Sequence, residues 1–409
     1  MRRHNLYLLF FLILLFSCSF FSPPQKITLW TQCPEIIPFI ERYNASQNNF
    51  KIEVTYFASL PLELLTSEKA PDLVLAEYLS APEIATRLQS LQDLLKPGII
   101  DPELFYQELL ASHRFNNNQV CLPFNFHLPL IVYRQGLFAK QADGTLSVEL
   151  LKELGLALNK RNRTEIAALG FAPHYNTDFP IYLAELYQVQ FRSDPATILS
   201  WDEKAFTSFL AAYADWIKQN TSNLAQELDF IDLFLYEPPY KIISDKHGDY
   251  PRLSCYITLD KNFFYLPTSA TQDLEFAWLS KDNKVLAADK VLGWGIPQKA
   301  INRPGAQDFL KWIYSPSNQA LLMAQQKEIN PFCFGLVGGF SALKVVNERE
   351  LSKLEPRLAE RLPRAEQIIF FPSLPYDWDK IKKDILIPWF HLFLKQDPEL
   401  KPLKSYLRR

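Results

Sequence analysis

The stretch QVCLPFNFHLPLIVYRQGLF, residues 119–138, decides the fold. It contains two apolar runs, 120–126 and 128–132, with almost no charge between them. Each run is too short for a typical helix, and Pro123 and Pro129 would break a helix while fixing the backbone φ angle at each bend. We therefore predict a buried, extended segment. Such a segment either joins two lobes of a protein or is an ordinary buried strand, and this stretch alone leaves both interpretations open.

The chain before this stretch alternates between strand and helix patterns. Residues 34–43 carry apolar side chains at helical spacing, which predicts a helix. Three stretches around that helix have the composition of strands: 26–30, 50–56 and 70–76. This order predicts a parallel sheet, and such sheets bind ligands beyond the C-terminal ends of their strands. Trp30 and Glu77 stand at such ends.

The N-terminus predicts export and a lipid anchor. Arg2 and Arg3 precede an uninterrupted apolar run, residues 6–16, which is well below the ~20 residues that a transmembrane helix needs. The sequence LFSC, residues 15–18, resembles a bacterial lipoprotein cleavage box. We predict a signal peptide over residues 1–17, acylation of Cys18 as the first mature residue, and a tether over 18–25. A plain signal peptide or an uncleaved anchor is the alternative.

Composition excludes one class of partner. Removal of residues 1–17 takes away two arginines and no acids, which leaves 41 basic and 45 acidic residues and a net charge of −4. Because the chain has no basic block, we expect no nucleic acid partner. The remaining 392 residues are too many for a single hydrophobic core, so we predict two or three domains.

The sequence contains no signature of catalysis or of a metal site. It lacks the GxSxG and HExxH motifs, a phosphate-binding glycine loop and a dinucleotide fingerprint. We therefore expect no enzyme activity, no cofactor and no metal. The four cysteines beyond Cys18 are far apart and form no CxxC motif: Cys33, Cys121, Cys255 and Cys333. Four cysteines allow three disulfide pairings, and the sequence selects none of them.

Several motifs together resemble one known family, the family 1 extracellular solute-binding proteins of ABC importers. The resemblance covers most of residues 26–325. The motifs that carry it are TLW (28–30), APDLVLAE (70–77), the segment from Leu122-Pro123 to Leu137-Phe138, and LGWGI (292–296) followed by a helix over 306–323. The family's FxxGxxAM stretch has no clear copy here, and residues 229–240 stand in its place.

The resemblance implies an α/β, two-lobed, periplasmic-binding-protein-like fold. Each lobe would be a mainly parallel sheet flanked by helices, with the ligand cleft between the lobes. The 119–138 segment would then be a hinge at the floor of the cleft. The implied first lobe is 26–132 plus 285–325, and the implied second lobe is 133–284 plus 326–409. Within the latter, residues 348–362 predict a solvated helix.

The resemblance also implies the function of a lipid-anchored receptor. It would capture a small solute, with a sugar or oligosaccharide as the favoured class, and deliver it to ABC permease subunits as a monomer. The chain would be anchored on the outer face of the bacterial cytoplasmic membrane, in the periplasm, or at the cell surface. Two alternatives stay open. One is a surface lipoprotein that acts as a sensor or adhesin, and the other is a glycosidase, which needs two carboxylates about 5–10 Å apart.

Sugar rings stack on aromatic side chains, and their hydroxyls need polar partners. Trp294 is the favoured stacking residue, because Gly293 and Gly295 on either side let the backbone approach something closely. The stacking candidates are Trp30, Trp294, Tyr236 and Trp378, with Trp278 and Phe124 as weaker ones. The candidates for polar contacts are Glu77, Asn125 and Glu237.

Replacement of the anchor residue gives the first test. The variant Cys18→Ser removes the thiol that would be acylated, so we expect an unlipidated and partly uncleaved protein. Metabolic labelling with a radioactive fatty acid measures this directly. Label that persists in Cys18→Ser would contradict the lipoprotein prediction.

Overall fold

The computed structural model describes residues 23–138, 144–163, 165–232, 239, 241–245 and 248–407. The predicted signal peptide with Cys18, and the ligand candidates Tyr236 and Glu237, lie outside the described residues.

Twenty strands are present in the described part of the chain, and many belong to short hairpins. They are β1 (Gln25–Thr31), β2 (Phe50–Tyr56), β3 (Leu73–Ala76), β4 (Arg114–Phe115), β5 (Asn118–Gln119), β6 (Leu122–Phe126), β7 (Pro129–Arg134), β8 (Thr145–Ser147), β9 (Lys160–Asn162), β10 (Glu165–Ala168), β11 (Arg192–Asp194), β12 (Ile198–Ser200), β13 (Ile242–Asp245), β14 (Gly248–Pro251), β15 (Cys255–Leu259), β16 (Leu274–Lys281), β17 (Lys284–Leu286), β18 (Val291–Gly295), β19 (Phe340–Ser341) and β20 (Ile368–Ile369).

Sixteen α-helices connect these strands in the described residues. They are α1 (Ile37–Ser46), α2 (Leu60–Thr66), α3 (Pro82–Ala85), α4 (Gln107–Ser112), α5 (Val148–Ala157), α6 (Phe179–Leu186), α7 (Glu203–Thr221), α8 (Leu224–Asp232), α9 (Asp260–Phe264), α10 (Thr268–Thr271), α11 (Arg303–Ile313), α12 (Pro316–Ile329), α13 (Lys344–Val346), α14 (Ser352–Leu354), α15 (Trp378–Ile381) and α16 (Ile387–Leu394). Short 3₁₀ and π segments extend several of them.

The strands form two six-stranded sheets. The first has the order β19-β6-β18-β3-β1-β2, and β1 runs parallel to β2 and β3, as the sequence predicts. The second has the order β15-β7-β16-β17-β20, with β8 added alongside β16. Both sheets are mixed rather than mainly parallel. In the first sheet β18 is antiparallel to β6 and β3, and in the second β7 is antiparallel to β15 and β16.

The chain crosses from the first sheet to the second between β6 and β7, at His127 and Leu128. This confirms that the 119–138 stretch joins two lobes. Asp260 is completely buried and holds the crossing. Its carboxylate accepts hydrogen bonds from the His127 ring Nδ1 (2.8 Å) and from the Leu128 backbone N–H (3.0 Å). The second crossing is tied to the first, because the Ala288 N–H donates to the His127 carbonyl.

Two later crossings correct the expected lobe boundaries. The chain returns to the first sheet at residues 287–290, and it leaves that sheet again between β19 and β20. Strand β19 pairs with β6, so part of the 326–409 region belongs to the first sheet. The helix expected over 348–362 is also wrong. It is interrupted after Leu354, because Pro356 follows and cannot continue a helix.

The core of the first lobe contains Trp294, which the sequence analysis assigned to the ligand site. Its ring is completely buried, 5.1 Å from the Phe309 ring and 5.6 Å from the equally buried ring of Phe124. Packing explains why glycine stands at position 293. A Cβ atom at Gly293 would lie 2.3 Å from the Cys121 Sγ. The close approach is therefore to the protein's own core, and full burial leaves Trp294 and Phe124 no face for a ligand.

Three further candidates are also buried. Trp278 donates from Nε1 to the Arg361 carbonyl, and Trp378 donates to the Asp289 carboxylate (2.6 Å). Asn125 donates to two backbone carbonyls, those of Leu336 and Val337. The two indole N–H groups and the Asn125 amide N–H groups thus donate to partners inside the protein, which is how buried donors are normally satisfied, and the three side chains belong to the interior.

Truncation of Trp294 tests this assignment. The variant Trp294→Ala would leave a large cavity in the core, so we expect the free energy of unfolding to fall by about 3–5 kcal/mol. Urea unfolding measures the loss, with Ile301→Ala as the matched control, since Ile301 is 94% exposed. Unchanged stability of Trp294→Ala would contradict the core assignment.

Candidate functional site

A cavity of about 350 Å³ lies between the two lobes, within the range of small-ligand sites. One wall consists of residues that follow the C-terminal ends of β1, β2 and β3, and it includes Gln32, Ser59 and Glu77. This is the edge where sheets with parallel strands bind ligands. The opposite wall comes from the C-terminal part of the chain and includes Tyr376 and Asp379.

The second wall belongs to the second lobe. Its helix, α15, begins with Trp378, whose ring is buried in the core around that sheet and lies 5.8 Å from the Phe191 ring. Tyr376 is partly buried and packs against the first lobe, in the same apolar cluster as Trp30. The cavity is therefore enclosed by side chains that two apolar clusters hold in place, one around Trp378 and one that includes Trp30.

Tyr78 enters the cavity from an unusual backbone conformation. It follows β3 directly and has φ = 57°, in the left-handed region that non-glycine residues avoid. Such conformations cost on the order of 1–3 kcal/mol and are concentrated at ligand sites. Its hydroxyl donates a hydrogen bond across the cavity to Asp379 (3.2 Å).

The charges beside the cavity form a linked group. The Lys290 Nζ lies 2.8 Å from the Asp379 carboxylate and 3.9 Å from that of Glu77. Burial raises the pKa of Glu77, and the attraction of Lys290 opposes that rise. Burial acts in the same direction on Asp379, but hydrogen bonding and attraction from Lys290 outweigh it and lower the pKa of that carboxyl. Asp379 therefore presents a carboxylate to the cavity at neutral pH.

A buried ion pair between Lys382 and Asp289 holds α15 in position. Lys382 is 5% exposed and lies 2.5 Å from the carboxylate of Asp289, which is equally buried, and 3.0 Å from that of Asp178. Asp289 also accepts the Trp378 Nε1 hydrogen bond described above. Burial alone would lower the pKa of Lys382, but these carboxylates raise it, so the amine stays charged. The second crossing segment thus fixes the position of the cavity wall.

Of the predicted ligand residues that the structure describes, only Glu77 belongs to the lining of this cavity. Trp30 is half-buried at the end of β1 and packs on Phe57, with ring centroids 4.7 Å apart. The sequence analysis missed Tyr78, Tyr376 and Asp379. A local signal existed for the last two, because the run PYDWDK (375–380) mixes aromatic and acidic residues in a tail that otherwise has helical spacing.

One buried hydrogen-bonded chain has the order hydroxyl, imidazole, carboxylate. Tyr213 Oη lies 2.7 Å from His174 Nε2, and His174 Nδ1 lies 3.0 Å from Glu227 Oε1. This order is that of a catalytic relay. Tyr213 and Glu227 are completely buried, however, so a solute does not reach this group. Its effect is to join α7 and α8 to the loop before α6.

The described residues contain no group of three or more His, Cys, Asp or Glu side chains that is arranged to hold a metal ion. Within the same residues, none of the helices combines the length and the apolar character that a membrane span requires. The four cysteines in this part of the chain are unpaired.

Comparison by sequence finds no matching family model and no matching curated protein. Comparison by structure finds several similar proteins. The mannotriose-bound protein CpMnBP1 is 16% identical, has a TM-score of 0.65, and the alignment covers 94% of this chain and 98% of that one. The sugar-binding protein MalE from Xanthomonas citri is 14% identical, with a TM-score of 0.66 and coverages of 94% and 96%.

A third similar structure is the extracellular solute-binding protein from Staphylococcus aureus in complex with maltose. It is 15% identical, has a TM-score of 0.61, and the alignment covers 95% of this chain and 96% of that one. These similarities extend over nearly the full length of both partners at low sequence identity. They establish the architecture: the chain has the two-lobed fold of the sugar-binding extracellular solute-binding proteins.

Proposed function

We propose that this protein is the solute receptor of an ABC importer. It captures a sugar or oligosaccharide in the cavity between its lobes and delivers it to permease subunits in the membrane. The observation that carries this proposal is the cavity itself, because its walls come from both lobes at the C-terminal ends of the parallel strands. Proteins of the same fold bind mannotriose and maltose.

The lining has the chemistry that a sugar requires. The rings of Tyr78 and Tyr376 offer apolar faces for the C–H groups of a pyranose, and their hydroxyls can exchange hydrogen bonds with it. Glu77 and Asp377 supply carboxylate acceptors, and Gln32 supplies both a donor and an acceptor. A ligand that contacts both walls stabilises the closed arrangement of the lobes, since only differential contacts shift such an equilibrium.

The cellular setting in this proposal follows from the N-terminal sequence. Acylation of Cys18 would hold the mature chain at the outer face of the bacterial cytoplasmic membrane, in the periplasm, or at the cell surface, and the tether over 18–25 would place the lobes beside the permeases. The receptor would act as a monomer, without a cofactor.

One observation favours a second function. Residues 229–240 replace the family's FxxGxxAM stretch, so the protein could bind a sugar as a surface sensor or adhesin without passing it on. Uptake of the radiolabelled sugar by cells that lack the protein separates the two. Loss of uptake supports the receptor, and normal uptake supports the sensor or adhesin.

Sugar binding itself is tested with the purified protein and a panel of mono- to trisaccharides that includes maltose, maltotriose, mannobiose and mannotriose. A sugar at 100 times its dissociation constant stabilises the folded state by about 2.7 kcal/mol, which appears as a rise in the melting temperature. Calorimetry then gives the affinity. In Tyr376→Ala we expect loss of about 1–2 kcal/mol of binding free energy, or roughly 5- to 30-fold weaker binding.

Tyr406→Ala is the matched control, because Tyr406 is an exposed tyrosine outside the cavity lining. It should bind the sugar as the unmodified protein does. Failure of the whole panel would contradict the proposed function, and equal affinities of Tyr376→Ala and Tyr406→Ala would contradict the assignment of the cavity.

A further inference from the structure

Beside the cavity, a charged contact between the two lobes centres on one exposed carboxylate. Asp379, on α15 of the second lobe, is 49% exposed. It accepts a hydrogen bond from Tyr78, which follows β3 of the first sheet, and pairs with Lys290, which directly precedes β18 of the same sheet. Two groups from the first lobe thus converge on one side chain of the second.

The contacts of Asp289, unlike those of Asp379, are buried. Asp289 precedes Lys290 in the crossing segment and binds Lys382 and Trp378 in the interior, where all three side chains are at most 5% exposed. Removal of one partner from a buried ion pair leaves an uncompensated charge, so these contacts resist separation. The Asp379 contacts are accessible to water, and exposed ion pairs break and re-form at small cost.

Asp289 and Lys290 are adjacent residues of the second crossing, and both therefore bind α15. Asp289 does so through buried contacts and Lys290 through an exposed ion pair. We propose that Asp289 is a permanent anchor for α15 and that Asp379 is a releasable latch, which closes the cavity by binding Lys290 and Tyr78. When the latch opens, α15 stays attached to the crossing segment through Asp289 while the cavity widens. The lobes then separate about the crossings.

The latch closes the cavity through contacts of the protein itself. Closure needs attractive contacts across the cavity, because a protein adopts the arrangement that its contacts favour. Asp379 and Tyr78 line the cavity, so a bound ligand would meet the two groups that hold it shut. One further contact joins the lobes nearby, since the Ser373 hydroxyl donates to the Ser80 carbonyl (2.7 Å). The latch accounts for the charged part of the closure.

The test measures lobe separation in the ligand-free protein, so it does not depend on the proposed sugar binding. Spin labels are attached to cysteines introduced at Glu68 in the first lobe and Lys204 in the second, both exposed positions. The partly exposed Cys333 is first replaced by serine. Pulsed electron paramagnetic resonance then gives the distribution of distances between the labels and hence the ratio of open to closed molecules.

In Asp379→Ala and in Lys290→Met we expect the open-to-closed ratio to rise about fivefold, the equivalent of losing one exposed ion pair at the upper end of the measured range. The double variant should open no further than Asp379→Ala alone, because both changes remove the same contact. The matched control is Asp377→Ala, which removes a neighbouring carboxylate of the cavity lining that is not part of the latch.

Three results would overturn the latch. They are an unchanged distance distribution in Asp379→Ala, an equal opening in Asp377→Ala, and full additivity of the two single changes. Failure of every sugar in the binding panel would leave these distances unaffected, so the latch and the proposed function fail separately.

Discussion

A buried carboxylate sets the geometry on which the rest of the molecule depends. Asp260 binds the ring of His127 and the backbone N–H of Leu128, at the two residues where the chain leaves one sheet for the other. A polar turn in the interior costs free energy unless its groups are paired. The pairing with Asp260 allows the crossing to lie inside the protein, and the cavity between the lobes exists because the two sheets are joined there.

The elements that the sequence predicted best are those whose signal is local. The alternation over 26–30 and 50–56 and the prolines at 123 and 129 depend only on near neighbours, and β1, β2 and the first crossing lie where these patterns place them. The second cavity wall has no such signal. Tyr376 and Asp379 lie some 300 residues after Glu77, and only the tertiary structure brings them together.

Trp294 shows how a correct physical premise led to a wrong location. Glycine on either side of an aromatic residue does mark a close approach, but the partner is the sulfur of Cys121, which directly precedes the neighbouring strand β6, rather than a ligand. The large tryptophans at 278, 294 and 378 are buried in the core, and the aromatic residues in the cavity lining are the tyrosines Tyr78 and Tyr376. A tyrosine ring remains compatible with water through its hydroxyl, whereas a tryptophan has a larger apolar surface to bury.

The strand order of the first sheet has a consequence for how the protein is made. Strand β18 lies between β6 and β3, so the N-terminal strands remain separated from β6 until residue 295 is available, and β19 completes the sheet only at residue 341. During synthesis from the N-terminus, β3 therefore emerges with an unpaired edge, which is a site for pairing with other chains. The first lobe cannot finish folding on the ribosome before most of the second has been synthesised. Delayed folding keeps the chain extended for longer, and it makes protection by a chaperone valuable during that interval.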